Sequence, residues 1–177
     1  RELWILGDVG DIITQLEDHS VQIQTMMGSR FVRGIRDRVE NWETRIRLAS
    51  DTIDEWLQVQ RGWMYLESIF SAEDIQKQLP AESTKFKAVD KFWKDTLKKV
   101  RQSYNKAMDA FHIPNLLAGL KNANDQLDQI QKSLEAYLET KRAAFPRFYF
   151  LSDDELLSIM SQTRNPEAVQ EHLCSVV

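Results

Sequence analysis

Disulfide scaffolds are the first class to fall: the 177 residues hold a single cysteine, Cys174, which has no partner for an internal bridge and suits a reducing compartment. Glycine and proline are scarce, at 6 and 4, which excludes collagen-like chains, flexible linkers and turn-rich all-β folds. No apolar run approaches the ~20 residues needed to cross a bilayer. Arg1-Glu2-Leu3-Trp4 leads into an acidic, polar stretch rather than the apolar core of a signal peptide. A formal charge of -4 gives no reason to expect binding to a phosphate backbone. An initiator methionine is missing, and Cys174 to Val177 carries no anchor signal, so both ends read as cut from a larger polypeptide. What is present is a helix-rich, water-soluble composition, 28% charged and 42% hydrophobic, long enough for one domain or two small ones.

Apolar residues at Val9, Ile12, Ile13, Leu16, Ile23 and Met26 recur at spacings of three and four, predicting a helix within Trp4 to Met27 that stops at Gly28-Ser29. The strongest pattern follows. Ile35, Val39, Trp42, Ile46, Ala49, Ile53, Trp56, Gln60 and Trp63 alternate spacings of four and three with no proline from Phe31 to Phe70. Such a period predicts one long helix with a continuous seam, on the order of 50 Å at the usual helical rise. Gly62 lies inside it and marks a close packing point or a bend. After a break at Leu79-Pro80, Glu82-Ser83 open a third helix whose stripe is Phe86, Val89, Trp93, Leu97, Val100 and Tyr104. Asp109 to Pro114 reads as a loop, with Pro114 at the first turn of a fourth helix whose seam is Leu120, Ala123, Leu127, Ile130, Leu134 and Tyr137. Pro146 forces Phe145 out of the helical region, and the aromatics around it favour an extended segment to Leu151. Ser152-Asp153-Asp154-Glu155 forms a capping box for a short helix through Met160, and Asn165-Pro166 starts a last one.

The resulting expectation is an all-α fold: an elongated bundle of long antiparallel helices with a short extended aromatic connector. Residues 1–144 form the bundle, and residues 145–177 the connector and short helices. Trp42, Trp56, Trp63, Trp93 and Tyr137 are the expected structural core, large aromatics that stiffen a long helix because bending it would repack several contacts at once. Phe145 to Leu151 exceeds the needs of a connector and leaves two readings open. Its aromatics face the core, or Arg147, Phe148, Tyr149 and Phe150 face a neighbouring domain.

Catalytic chemistry finds no foothold. Gly7-Asp8-Val9-Gly10 lacks the further glycine, lysine and preceding strand of a phosphate loop. His19, His112 and His172 lie far apart without ligand-spaced partners, so no metal is expected. His172 and Cys174 sit two apart, which on a helix keeps their side chains from facing each other. The acidic triplet after Ser152 serves capping better than acid–base catalysis. Lys94, Lys98, Lys99 and Arg101 alternate with buried-stripe residues and form a solvated face, with partner binding as the sharper alternative. The residues alone thus describe a non-catalytic helical lever or interaction module. A spectrin-like rod is the competing class, but a rod should repeat its tryptophan-bearing helix at a fixed period, and this chain does not.

Three strings carry a family resemblance. Glu55 to Phe70, with Trp56, Gln60, Trp63, Tyr65-Leu66-Glu67 and Ile69-Phe70, is the first. Gln78-Leu79-Pro80 with Phe86, Val89-Asp90 and Trp93 follows in order. Tyr137 to Leu157, continued by Asn165-Pro166-Glu167-Ala168-Val169-Gln170-Glu171-His172-Leu173, is the most specific. In this order, over nearly the whole chain, they resemble the dynein heavy chain where it precedes and enters the linker. Departures occur at Gly34-Ile35, where the family often has proline and phenylalanine, and at Cys174 to Val177. Met26 to Val32 and Asn165 to Gln170 look more like axonemal than cytoplasmic members. The resemblance implies an arm crossing a ring of AAA+ ATPase modules, bent and straightened by ATP-driven changes in that ring. The nucleotide sites would lie elsewhere in the polypeptide, so this segment is expected to need no cofactor and to hydrolyse nothing. Implied partners are the AAA+ ring and the remaining linker of the same heavy chain, other dynein subunits, and microtubules only indirectly, with no nucleic acid and no membrane. The implied location is the cytoplasm and cytoskeleton, in the axoneme of a cilium or flagellum.

Overall fold

The computed structural model describes residues 5–103 and 107–161. Among these the fold is all-α, with no strand. In chain order the helices are α1 (Gly10–Met27), α2 (Arg36–Phe70), α3 (Glu73–Gln78), α4 (Pro80–Ser103), α5 (Ala107–Ala110), α6 (Leu116–Ala144) and α7 (Asp153–Ser161), with 3-10 turns at Val32–Gly34 and Pro146–Phe150. Two compact units emerge: Arg1–Gln60 with Lys94–Asn122, and Arg61–Trp93 with Ala123–Val177. Tyr104 and the helix expected from Asn165, together with His172 and Cys174, lie outside the described residues.

In the first unit α1 begins at Gly10, later than its apolar pattern suggested. The Asp8 carboxylate accepts the Gly10 N–H at 2.9 Å and so satisfies one of the amides a helix start leaves without a helical acceptor. Gly28 closes the helix as expected, its N–H donating to Gln24 O at 3.1 Å. A 3-10 turn at Val32–Gly34 then delays α2 to Arg36, in the region where Gly34 and Ile35 depart from the family pattern. Ile23 of α1, Val32 of the turn, and Val39 and Ile46 of α2 form one apolar cluster, with Leu16 and Met27 packed against it. Gln60 keeps its seam position despite being polar. Its amide donates to Leu6 O at 2.8 Å and accepts the Leu6 N–H at 2.9 Å, so the buried amide is satisfied on both sides.

The second unit is built on the end of α2, α3, the start of α4, the later part of α6, and α7. Trp63 Nε1 donates to Asp90 Oδ1 at 2.8 Å, and seven residues further along α2 the Phe70 ring stacks on Phe86 at 5.4 Å between centroids. Contacts that advance along α2 while retreating along α4 define an antiparallel pair. Leu127 of α6 packs against Gly62, where an added Cβ would stand 3.3 Å from Leu127 Cδ1. Glycine therefore marks a close packing point within this unit. Leu66, Ile75, Val89, Trp93, Ile130 and Leu134 complete a tightly buried interior, each large side chain contributing about 1.5–3 kcal/mol of transfer free energy.

Several local expectations change. Asp109 lies in the short α5 rather than in a loop, and α6 begins at Leu116, two residues beyond Pro114, which stays in the turn before it. Pro80 is itself the first residue of α4, a position whose N–H has no helical acceptor in any case. A short α3 occupies the stretch before it. At the other end of the chain, the segment around Pro146 is a 3-10 turn and not an extended connector. Extended backbone is confined to its flanks, Phe145 (φ -138°, ψ 92°) and Leu151 (φ -100°, ψ 141°). Pro146 sets φ near the helical value for the turn's first residue, and Phe148 N–H donates to Phe145 O at 2.9 Å to close it. The turn shortens the path from α6 to α7, which lets both pack in one unit.

Candidate contact site at the Pro146 turn

The last turn of α6, the 3-10 turn and the start of α7 meet on one residue. Arg142 lies close to the helical repeat of the Leu134 and Leu138 seam and is buried with them, its side chain only 11% exposed. Its guanidinium donates to Leu151 O at 3.1 Å, to Asp153 Oδ1 at 2.6 Å and to Glu139 Oε1 at 3.2 Å. A planar fork of five donors can serve all three acceptors at once, which an ammonium point charge would do less well. The hydrogen bond to Asp153 is the largest effect holding the Arg142 pKa above its ordinary value. The charge is thus locked on, and the arginine ties α6 to the entry of α7.

The capping box completes the corner. Glu155 N–H donates to Ser152 Oγ at 3.3 Å, while Ser152 N–H and Oγ–H both donate to Glu155 Oε2 at 2.8 Å. Asp153, Asp154 and Glu155 place negative charge in the first turn of α7, where the helix dipole favours it. Behind them Leu151, Leu156, Leu157 and Met160 are buried. Tyr65 of α2 lies half-buried nearby. Burial first, and then the Asp154, Asp153 and Glu135 carboxylates, raise its phenol pKa.

On this anchored base the aromatics divide. Phe145 and Phe148 meet edge to face at 4.8 Å between centroids. Tyr149 stands outward, its hydroxyl donating to Glu139 Oε2 at 3.4 Å, and Arg147 is exposed. Phe150 is 77% exposed. The turn therefore sends Leu151 inward and presents Arg147, Tyr149 and Phe150 outward.

Of the aromatic residues expected in the core, Trp56, Trp63 and Trp93 are buried. Trp42 is not: it is 47% exposed, with the Arg45 guanidinium carbon 4.8 Å from its ring centroid. Helix α1 and the Val32 turn cover Val39 and Ile46 but leave that position open. Tyr137 is also displaced from the innermost layer, where Leu138 sits instead. Half-buried, it donates its hydroxyl to Gln78 Oε1 at 2.6 Å, with Lys141 Nζ 5.0 Å from its ring. Arg142 was missed by pattern reading, although a charged residue close to an apolar seam with Glu139 three residues before it is a visible signal. His19 and His112 are exposed, and His112 Nδ1–H donates to Met108 O at 2.6 Å. No cluster of three metal-ligating side chains occurs among the described residues. No helix among them is long and apolar enough to cross a membrane.

The family model described as dynein heavy chain, N-terminal region 2, matches residues 1–176. The chain belongs to the dynein heavy chain family. Among curated relatives this dynein heavy chain segment is similar to dynein axonemal heavy chain 6 of Homo sapiens, 51% identical over 173 residues, covering 98% of this chain and 4% of the relative. Dynein axonemal heavy chain 12 of Rattus norvegicus is 46% identical over 171 residues, covering 97% of this chain and 6% of the relative. Dynein axonemal heavy chain 2 of Homo sapiens is 50% identical over 163 residues, covering 92% of this chain and 4% of the relative. The segment thus spans a small fraction of the heavy chains it matches. The helices and the Pro146 corner described above belong to the N-terminal region of a dynein heavy chain.

Proposed function

We propose that this dynein heavy chain segment is a non-catalytic mechanical element, part of the linker arm that converts ATP-driven changes of the AAA+ ring into movement along a microtubule. The observation that carries this reading is the match to the N-terminal heavy-chain region along residues 1–176. The physics of the second unit supports it. A seam in which Trp63 is both packed and hydrogen-bonded, with Gly62 allowing α6 to approach closely, resists bending in small increments. Residues 1–144 supply the long helices, and residues 145–177 continue towards the rest of the linker. Arg147, Phe148, Tyr149 and Phe150 form a contact with the ring or with the remaining linker of the same heavy chain. Other dynein subunits are further partners, and microtubules are engaged only indirectly. The relatives' axonemal names support a place in the cytoskeleton of a cilium or flagellum.

The test is replacement of residues 5–161 by a flexible Gly/Ser linker in the complete heavy chain. Retained basal ATP hydrolysis with loss of microtubule gliding is the expected result. Loss of hydrolysis itself, or gliding at an unchanged velocity, would overturn the mechanical reading.

A further inference from the structure

The apolar seam of α2 is covered unevenly within the first unit. Val39, Ile46, Ala49 and Ile53 are buried, whereas Ile35 and Trp42, seven residues apart in the same register, are each 47% exposed. Arginines accompany the exposed part. Ile35 stands just before α2, its carbonyl accepting the Arg38 and Val39 N–H groups, and Arg38, Trp42 and Arg45 follow it at spacings of three, four and three, so the four form one stripe at the start of the helix. Arg45 already lies over the Trp42 ring, and Arg30 stands 4.9 Å from the ring centroid of Phe31, which is 78% exposed.

The local charge is opposite to that of the whole chain. Arg30, Arg33, Arg36 and Arg38 face a single carboxylate, Asp37, within nine residues of a chain whose formal charge is -4. Arg36 pairs with Glu40 at 3.5 Å, and Arg38 is exposed on the stripe. Apolar residues at a heptad interval flanked by guanidinium groups match one chemistry well: a second helix whose apolar seam is bordered by carboxylates. A nucleic acid fits less well, because Asp37, Glu40 and Glu43 interrupt the positive surface at helical spacing.

We propose that Ile35, Arg38, Trp42 and Arg45 form a docking stripe for an amphipathic helix of acidic border, supplied by another region of the same heavy chain. This chain covers only 4% of dynein axonemal heavy chain 6 and 6% of dynein axonemal heavy chain 12, so relatives of this kind carry most of their polypeptide elsewhere, and that remainder is the source of the helix. The proposal depends on family membership but not on the linker role. A cross-link and a stroke are separate readouts, so either idea can fail alone.

The experiment places the photo-reactive amino acid benzoylphenylalanine at Trp42 in the complete heavy chain, followed by irradiation and peptide mass spectrometry. The exposed position tolerates the substitution without disturbing the buried seam. The expected product is an intramolecular cross-link to a helical segment with Asp or Glu beside its apolar positions. Its yield should fall by roughly tenfold with Arg38→Glu plus Arg45→Glu, and should survive Arg38→Lys plus Arg45→Lys. Cross-links to a second copy, to a different subunit, to a nucleic acid or to no macromolecule would overturn the proposal. So would an intramolecular product whose partner lacks acidic residues, or a yield indifferent to charge reversal.

Discussion

Replacing Gly62 by alanine and then by valine sets helix propensity against packing at one atom. Alanine in a helix interior is favoured over glycine by about 1 kcal/mol. The new Cβ would stand 3.3 Å from Leu127 Cδ1 and 3.7 Å from Leu127 Cβ. Carbon contacts are optimal at ~3.5–4.0 Å, so one methyl group has to move by a few tenths of an ångström. Turning Leu127 off its rotamer costs about 0.5–1.5 kcal/mol, which offsets the propensity gain. Gly62→Ala should therefore leave stability nearly unchanged. Gly62→Val adds two further carbons to the same approach and a β-branched side chain. Overpacking of about 1–3 kcal/mol then exceeds the propensity gain and gives a net loss. Denaturant unfolding followed by circular dichroism measures both variants. Combining Gly62→Val with Leu127→Ala tests the cause, because room made at Leu127 should recover part of the loss and make the pair non-additive. A stabilised valine variant, or simple additivity with Leu127→Ala, would refute the close-approach explanation.

Other outcomes follow from the remaining contacts. Arg142→Met should lower stability by about 1.5–3 kcal/mol, the range for hydrogen bonds to charged groups, since Asp153 and Glu139 retain access to water while Leu151 O is left in the interior; equilibrium unfolding checks this. Trp63→Ala should cost about 3–5 kcal/mol as a core truncation, while Trp42→Ala should cost far less, and comparison of the two unfolding midpoints tests the different burial of these positions. Tyr65 provides a pH signature. Its folded pKa is raised, so its contribution is complete below the unfolded value of 10.0 and is lost as pH rises through the folded value. Thermal midpoints of the wild type should then fall more steeply above that pH than those of Tyr65→Phe, and identical slopes would remove Tyr65 as the cause.

Much of the helical framework was legible because periodic burial was its cause. The 4-3 spacing from Val39 to Trp63 reflects a seam in contact with neighbours, and the capping residues of α7 act locally, within reach of sequence reading. Trp42 shows where that logic stops. Its register matches the buried residues, but burial depends on whether a second element covers it, and spacing carries no information about that. Around Pro146 the aromatics favoured strand-like backbone locally. The tertiary demand that α6 and α7 both pack around Arg142 selects a 3-10 turn instead. The outward residues Tyr149 and Phe150 could be singled out by composition, whereas the arginine that positions their turn was hidden by its ordinary-looking charge.

Microtubule displacement per ATP hydrolysed is the most direct measure of a mechanical, non-catalytic element. It is obtained as gliding velocity divided by microtubule-stimulated ATPase for complete heavy chains carrying Trp63→Ala or the exposed control Ile12→Ala. A loosened seam should transmit less of each cycle, so the ratio should fall with Trp63→Ala and stay at the wild-type value with Ile12→Ala. Equal ratios in all three proteins, or a fall in velocity matched by an equal fall in hydrolysis, would contradict the mechanical role.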